Sequence, residues 1–321
     1  MVLTRLISVG TLALSAIGAH ADPFQSADYN PLLGGLTLIA PARLLTNNQT
    51  SLQLALNWSS TAAIQQSANE ALIVDAEIHE WRFSIDRAFG NRFQARIQLP
   101  YRTINGGSLD SLIEHWHSFF GLPRGDRPAL PRNQVRIDYI RNGANRLLIR
   151  DASRSGMGDI SIDMGYRLQA EPNRATSLWS SITLPTGDAD SLMGNGALTG
   201  TLAVAHTRSF ERIELFGHGA VTFRSRGGPL SEQQKSVVWQ AMIGSDYRAT
   251  DRFTVRAQLD GHGATFSNTG LAMMNAAYIL TFGGEYALRN RWRAQFGVSE
   301  DIKVEASPDV TFAMSVAKRL K

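Results

Sequence analysis

From about Thr50 to its end, the chain repeats one pattern, apolar and polar residues in alternation, and that pattern leaves few folds open. Leu52, Leu54, Leu56 and Trp58 interleave with Gln53, Ala55 and Asn57. Phe93, Ala95, Ile97 and Leu99 interleave with Gln94, Arg96 and Gln98, and Ile160, Ile162, Met164 and Tyr166 with Ser161, Asp163 and Arg167. Phe253 to Leu259 and Trp292 to Val298 keep the same habit, with Arg256, Asp260 and Arg293 at polar positions. Successive side chains of a β-strand point to opposite faces, so a period of two describes strands with one apolar and one polar face. One stretch changes phase. Leu72, Val74, Ala76 and Ile78 give way near Glu80 to Trp81, Phe83 and Ile85, which reads as a bulge or bend.

The connections alternate as well. A polar residue followed by arginine recurs at Asn91-Arg92, Asn145-Arg146, Asn173-Arg174, Glu211-Arg212, Asp251-Arg252 and Asn290-Arg291, each in a short connection. Between them lie longer Gly/Pro/Ser-rich stretches, roughly 102–133, 151–157, 186–196, 224–236, 263–272 and 300–308. Short periplasmic turns and long outside loops are the mark of an outer-membrane barrel. Phe89, Phe93, Phe210, Tyr247, Phe253, Tyr286 and Trp292 sit beside the short turns, where a girdle of aromatic residues at the membrane interface belongs. The reading is an all-β fold: a single antiparallel transmembrane β-barrel of about 12–14 strands over residues 50–321. The lower count applies if the hairpin at 134–150 lies outside the membrane.

Ahead of the barrel, Met1 to Arg5 is a short basic region, Leu6 to Gly18 an apolar core and Ala19-His20-Ala21 a small-x-small cleavage site. This predicts a cleaved signal peptide over 1–21 and an outer-membrane destination. Residues 22–49, with Pro23, Pro31, Gly34-Gly35 and Pro41, read as an irregular segment. There is no cysteine, so disulfides and thiolate metal sites are excluded. Removing 1–21 takes one basic residue, leaving 31 basic against 28 acidic, a net +3. No basic block with interleaved aromatics marks a nucleic-acid surface. No apolar run is long enough for a membrane helix, and a mean hydropathy of -0.15 suits a barrel with a polar lumen.

One segment breaks the strand period. In 106–123, Leu109, Leu112, Ile113, Trp116, Phe119 and Phe120 recur at helical spacing, Ser108 or Ser111 can cap the start, and Gly121 with Pro123 supplies a stop. One short amphipathic helix therefore interrupts a long extracellular loop. Together with Gly156-Met157-Gly158-Asp159-Ile160 and Leu184-Pro185-Thr186-Gly187-Asp188, this run resembles an uncharacterised family of Gram-negative outer-membrane barrels, a domain of unknown function. The resemblance extends more distantly to barrels proposed to take up aromatic compounds. It implies a barrel but assigns no activity. The chain departs from the usual barrel ending, since its last aromatic, Phe312, is internal.

Asp110, Glu114 and His117 fall on one polar face of the helix. If Leu109, Leu112, Ile113 and Trp116 dock on the inner wall, Asp110, Glu114 and His117 face the remaining aqueous path, and the helix, Trp116 included, is a plug. His115 and His117 point to nearly opposite sides and make a poor metal pair. Arg96, Asp163, Arg167, Glu214, Arg256, Asp260, Glu285 and Arg293 are expected to line the lumen. His79, His206, His218 and His262 lie near serines, yet no spacing singles out a hydrolase pair. No cofactor, metal or nucleic acid is expected. The expected partners are outer-membrane lipid and lipopolysaccharide, the barrel-assembly machinery and a small-molecule permeant. The first reading is a passive pore or uptake channel. The alternatives are a non-conducting structural or assembly barrel and an outer-membrane hydrolase.

Overall fold

The structure is a computed structural model that describes residues 22–25, 28–33, 36, 40–121, 126–150, 153–303 and 305–320. Of the helix, the side chains of Leu112, Trp116, His117 and Phe120 are not described, and the expected signal peptide lies outside the described residues. Twelve long strands close into an antiparallel barrel: β1 (Thr50–Gln66), β2 (Glu70–Phe89), β3 (Phe93–Asn105), β7 (Ile160–Glu171), β8 (Arg174–Leu184), β9 (Thr199–Phe210), β10 (Ile213–Arg224), β11 (Val237–Arg248), β12 (Phe253–His262), β13 (Ala277–Ala287), β14 (Trp292–Asp301) and β15 (Val310–Leu320). The ring shuts where β15 pairs with β1 from Thr50↔Leu320 to Ser60↔Val310. Three short strands stand outside the count. The hairpin β4 (Arg136–Arg141) and β5 (Ala144–Arg150) extends the upper part of β2, and β6 (Arg154–Met157) pairs with the end of β3.

Five of the six arginine motifs lie at the short-turn end of the barrel, at or beside the tight turns between consecutive long strands. The sixth, Asn145-Arg146, does not. Its hairpin tip bonds through Asn142 N–H to Asn69 O, beside the β1–β2 turn at the opposite, long-loop end. The aromatics beside the short turns all face outward and are exposed, from Phe89 and Phe93 round to Tyr286 and Trp292. Between the two ends Leu54, Ile97, Ile162, Leu202, Ile243, Phe282 and Phe296 form a continuous exposed apolar belt, as a wall in contact with lipid requires.

The phase change in β2 is not a bulge. Its register with β1 runs unbroken from Thr50↔Arg87 to Gln66↔Ala71, and with β3 from Glu77↔Asn105 to Phe89↔Phe93. Even-numbered residues face inward throughout. What inverts is the surroundings. Below Glu80 the inside is polar (Glu80, Arg82, Ser84, Asp86) and the outside is exposed and apolar (Trp81, Phe83, Ile85). Above it the inside is apolar (Leu72, Val74, Ala76, Ile78) and the outside carries Asp75, Glu77 and His79. Those inner residues join Ile104, Ile137, Tyr139, Met193, Leu230, Phe266 and Met273 in one core, to which the loops of several connections contribute. The long-loop end is therefore a domed apolar cap on a polar tube.

Candidate functional site

The lumen is occupied by the irregular segment that precedes β1. Asp22 lies near the short-turn end, where its carboxylate meets Arg293 at 2.9 Å and its carbonyl accepts from Gln295 at 2.9 Å and from Arg256. Phe24 is buried higher up, its N–H donating to Gln258 Oε1 at 2.9 Å. Asp28 reaches His262 Nε2 at 3.0 Å, and Asn30 donates to Met273 O at 2.6 Å, both at the long-loop end. Leu32 and Leu33 enter the apolar cap. The chain then descends. Pro41 O accepts from Ser177 Oγ and Trp179 Nε1, both at 2.9 Å, and Leu45 N–H donates to Gln94 at 2.7 Å. Arg43 donates to Glu171 O and Pro172 O, back at the short turns, and Asn47 and Asn48 bond to the β2–β3 turn. The described residues between Asp22 and Asn48 thus trace a strap that rises through the barrel and returns.

Such a segment shows no period because, among the described residues, its backbone pairs with no strand. Several of its polar groups are instead met by wall side chains, and others by its own Asp28 and Asn30. Ala40, Ala42 and Leu44 pack on Trp179, Ala203, Ala205 and Ala220, where the wall's small residues leave space for a second chain.

The wall residues expected to line the lumen do face inward, and most of them are engaged. Arg96 pairs with Asp86 at 2.7 Å and lies 5.0 Å over the Trp179 ring. Asp163 accepts from Gln98 at 2.8 Å and Ser181 at 2.6 Å. Glu80 bridges Arg82 at 2.5 Å and Arg102 at 2.7 Å. Arg167 donates to Leu44 O at 2.7 Å and Leu45 O at 3.0 Å. Glu214 accepts from Thr207 and Ser209, and Asp260 from Gln258 at 2.9 Å. Arg256 grips Asp246 at 2.6 and 2.8 Å. The lining is thus a web of pairs, several of which hold the strap. Two small cavities lie inside: one of about 40 Å³ between strap and wall, beside Asp22, Arg96 and Arg319, and one of about 30 Å³ among wall and loop residues, beside Arg82, Arg102 and Asp159. Each holds a few waters at most.

The helix, α1 (Asp110–Phe120), lies elsewhere than expected. Leu109 and Ile113 are buried against Val310, with Trp58, Val298 and Phe312 around them, all outward-facing residues of β1, β14 and β15. The helix is docked on the outer wall and does not plug the lumen. An amphipathic helix needs an apolar partner, and the upper edge of the belt supplies one as well as a lumen would. Nor do the serines cap it. Glu77, reaching out from β2, accepts the backbone N–H groups of Ser108 and Leu109 as well as Trp58 Nε1 at 2.8 Å. Asp110 pairs with Arg127, which also holds Asp309 at 2.8 Å and Ser60 at 2.8 Å, and Glu114 pairs with Arg132. The expected positions Trp116 and His117 fall on side chains outside the description.

His206 faces outward and bonds Thr176, His262 holds Asp28, and His79 lies beside Glu77. Among the described residues no group of three or more ligating side chains is placed to hold a metal ion.

A closed antiparallel barrel of twelve strands, apolar outside and polar within, defines the class of transmembrane β-barrels. The chain belongs to the family described as protein of unknown function DUF3187, whose profile matches residues 5–320. No curated protein sequence matches it. Its fold is similar to that of an outer membrane channel from Pseudomonas putida F1, with a TM-score of 0.59, 14% identity, and coverage of 87% of this chain and 98% of that one. The Ralstonia pickettii toluene transporter TbuX matches with a TM-score of 0.47 and 12% identity over 95% of this chain and 97% of its own. The KdgM porin in complex with oligogalacturonate matches at 0.46 and 7% identity, over 84% and 99%.

Proposed function

We propose that this protein is a passive uptake channel of the bacterial outer membrane for small molecules, shut in the conformation described by its own N-terminal strap. The observation that carries the reading is how the lumen is filled. Among the described residues the strap makes no backbone ladder with any strand, and the twelve-strand ring closes without it, β15 on β1. Wall side chains fill a barrel of about eight strands, and one of twelve leaves a wider bore. Here the wall is trimmed to alanine where the strap lies, at Ala203, Ala205 and Ala220. The fold it shares with an outer membrane channel agrees, as do the exposed belt and the aromatic girdle, which fit an outer-membrane setting.

Conductance in planar bilayers tests this. The full chain is expected to conduct rarely, because the strap occupies the lumen and the space beside it at Asp22, Arg96 and Arg319, about 40 Å³, has room for only a few waters. A variant lacking residues 22–45 is expected to conduct steadily. A strapless barrel that is folded, resists SDS until boiled, and still does not conduct would show the competing reading, a non-conducting structural barrel, to be right.

A further inference from the structure

The strap shows what chemistry the vacated lumen would present. Toward the short-turn end three inward arginines converge: Arg256 on β12, Arg293 on β14 and Arg319 on β15. Two wall acids face them. Asp246 takes Arg256 at 2.6 Å, and Glu285 takes Arg293 at 3.4 Å and Gln295 at 2.9 Å. Three guanidinium groups against two carboxylates leave the wall one positive charge in excess, and Arg291, on the adjoining turn, adds to it. The third carboxylate comes from the strap. Asp22 lies 2.9 Å from Arg293, and it lines the same small cavity as Arg319, whose Nε is buried without a hydrogen-bond partner. A buried cation excess is costly unless an anion is brought to it.

An aromatic ring accompanies that carboxylate. Phe24, two residues on, is stacked 5.1 Å from the Arg256 guanidinium, whose other neighbour is the Phe216 ring at 5.4 Å. Gly297 makes the seat, because a Cβ there would stand 3.2 Å from two atoms of the Phe24 ring. The strap therefore offers this wall a carboxylate and a phenyl ring, each against an arginine.

We propose that Arg256, Arg293 and Arg319 form a carboxylate-binding site, that Asp22 and Phe24 occupy it in the closed barrel, and that the permeant is a small aromatic carboxylate that competes with them. This rests on the channel reading above, and benzoate serves as the probe. Added to the full chain in a bilayer, benzoate is expected to raise the frequency of openings about tenfold, while neutral benzamide has no such effect. In the variant lacking 22–45, under a sodium benzoate gradient, the reversal potential is expected to favour benzoate over sodium. Arg293→Gln in that background is expected to remove the preference. Asp22→Asn, which leaves the wall intact, is expected to raise openings without benzoate, and so keeps the test independent of how well Arg293→Gln folds. A strapless barrel that conducts but passes sodium and benzoate equally overturns the site and leaves the channel standing, as does benzamide acting like benzoate. A folded strapless barrel that does not conduct overturns both.

Discussion

Arg167 shows how a single side chain can set the balance between a shut and an open lumen. It gives two charge-assisted hydrogen bonds to adjacent strap carbonyls, Leu44 O and Leu45 O. Hydrogen bonds to charged groups contribute about 1.5–3 kcal/mol each, and every 1.4 kcal/mol is about a factor of ten in an equilibrium. Arg167→Met removes both donors and leaves the barrel ladder untouched. Openings of the full chain are therefore expected to become at least about a hundredfold more frequent in single-channel records, with the unit conductance unchanged. An unchanged opening frequency would mean that these contacts do not hold the strap. Arginine 167 was readable from the sequence as an inward residue, since alternation alone places it. Its partner was not. A carbonyl of a segment without periodicity leaves no trace in the pattern of side chains.

At the scale of the element, α1 shows the same limit. Its spacing, its Gly121 stop and its need for an apolar partner are all legible, and Gly121 has the positive φ of 69° that such a stop requires. Which apolar surface takes it is a tertiary matter. The sequence holds one clue in Glu77, an acid on what becomes the outer face of β2, beside Ser60 and Asn105 on the neighbouring strands. It marks the place where something covers the wall and brings backbone N–H groups to it. Gly107 sits at the approach with φ 62°, and a Cβ there would fall within 1.7 Å of the Glu77 carboxyl carbon. Gly107→Ala is expected to cost about 1–3 kcal/mol through the unfavourable φ and the displaced cap. Proteolysis should then cut 106–133 faster. Conductance should not change, because the helix lies outside the barrel. A rise in conductance would return α1 to the lumen.

For the whole molecule, alternation, turn spacing and the aromatic girdle were enough to specify a closed barrel, and the hairpin β4–β5 explains why twelve strands cross rather than fourteen. The inversion at Glu80 is visible in the sequence, where alternation alone reads it as a bulge or bend. In fact one straight strand passes from a tube with a polar interior into a cap with an apolar one. The fold predicts that the protein resists SDS until boiled, since a closed barrel has no edge to unzip. A gel mobility identical with and without boiling would contradict it. Orientation is testable by labelling intact cells. Gly227, a natural choice on a long loop, cannot carry a label, because a Cβ there meets Gly196 O at 1.9 Å. Glu232→Cys, exposed on that loop, is expected to react from outside, and Asp251→Cys at a short turn to be protected. The reverse pattern would turn the barrel over.

The path of the strap carries one more consequence. Asp22 and Asn48 both lie toward the short-turn mouth, so the described residues between them run as two limbs, one up to the apolar cap and one back. The strap can be drawn out as a loop without any free end passing through the ring, and only in one direction. A pull applied from the short-turn side would unseat it, while a push from that side would wedge it against the apolar cap. The barrel is built like a stopper on a looped cord, and the hand on the cord stands on the side where both limbs emerge.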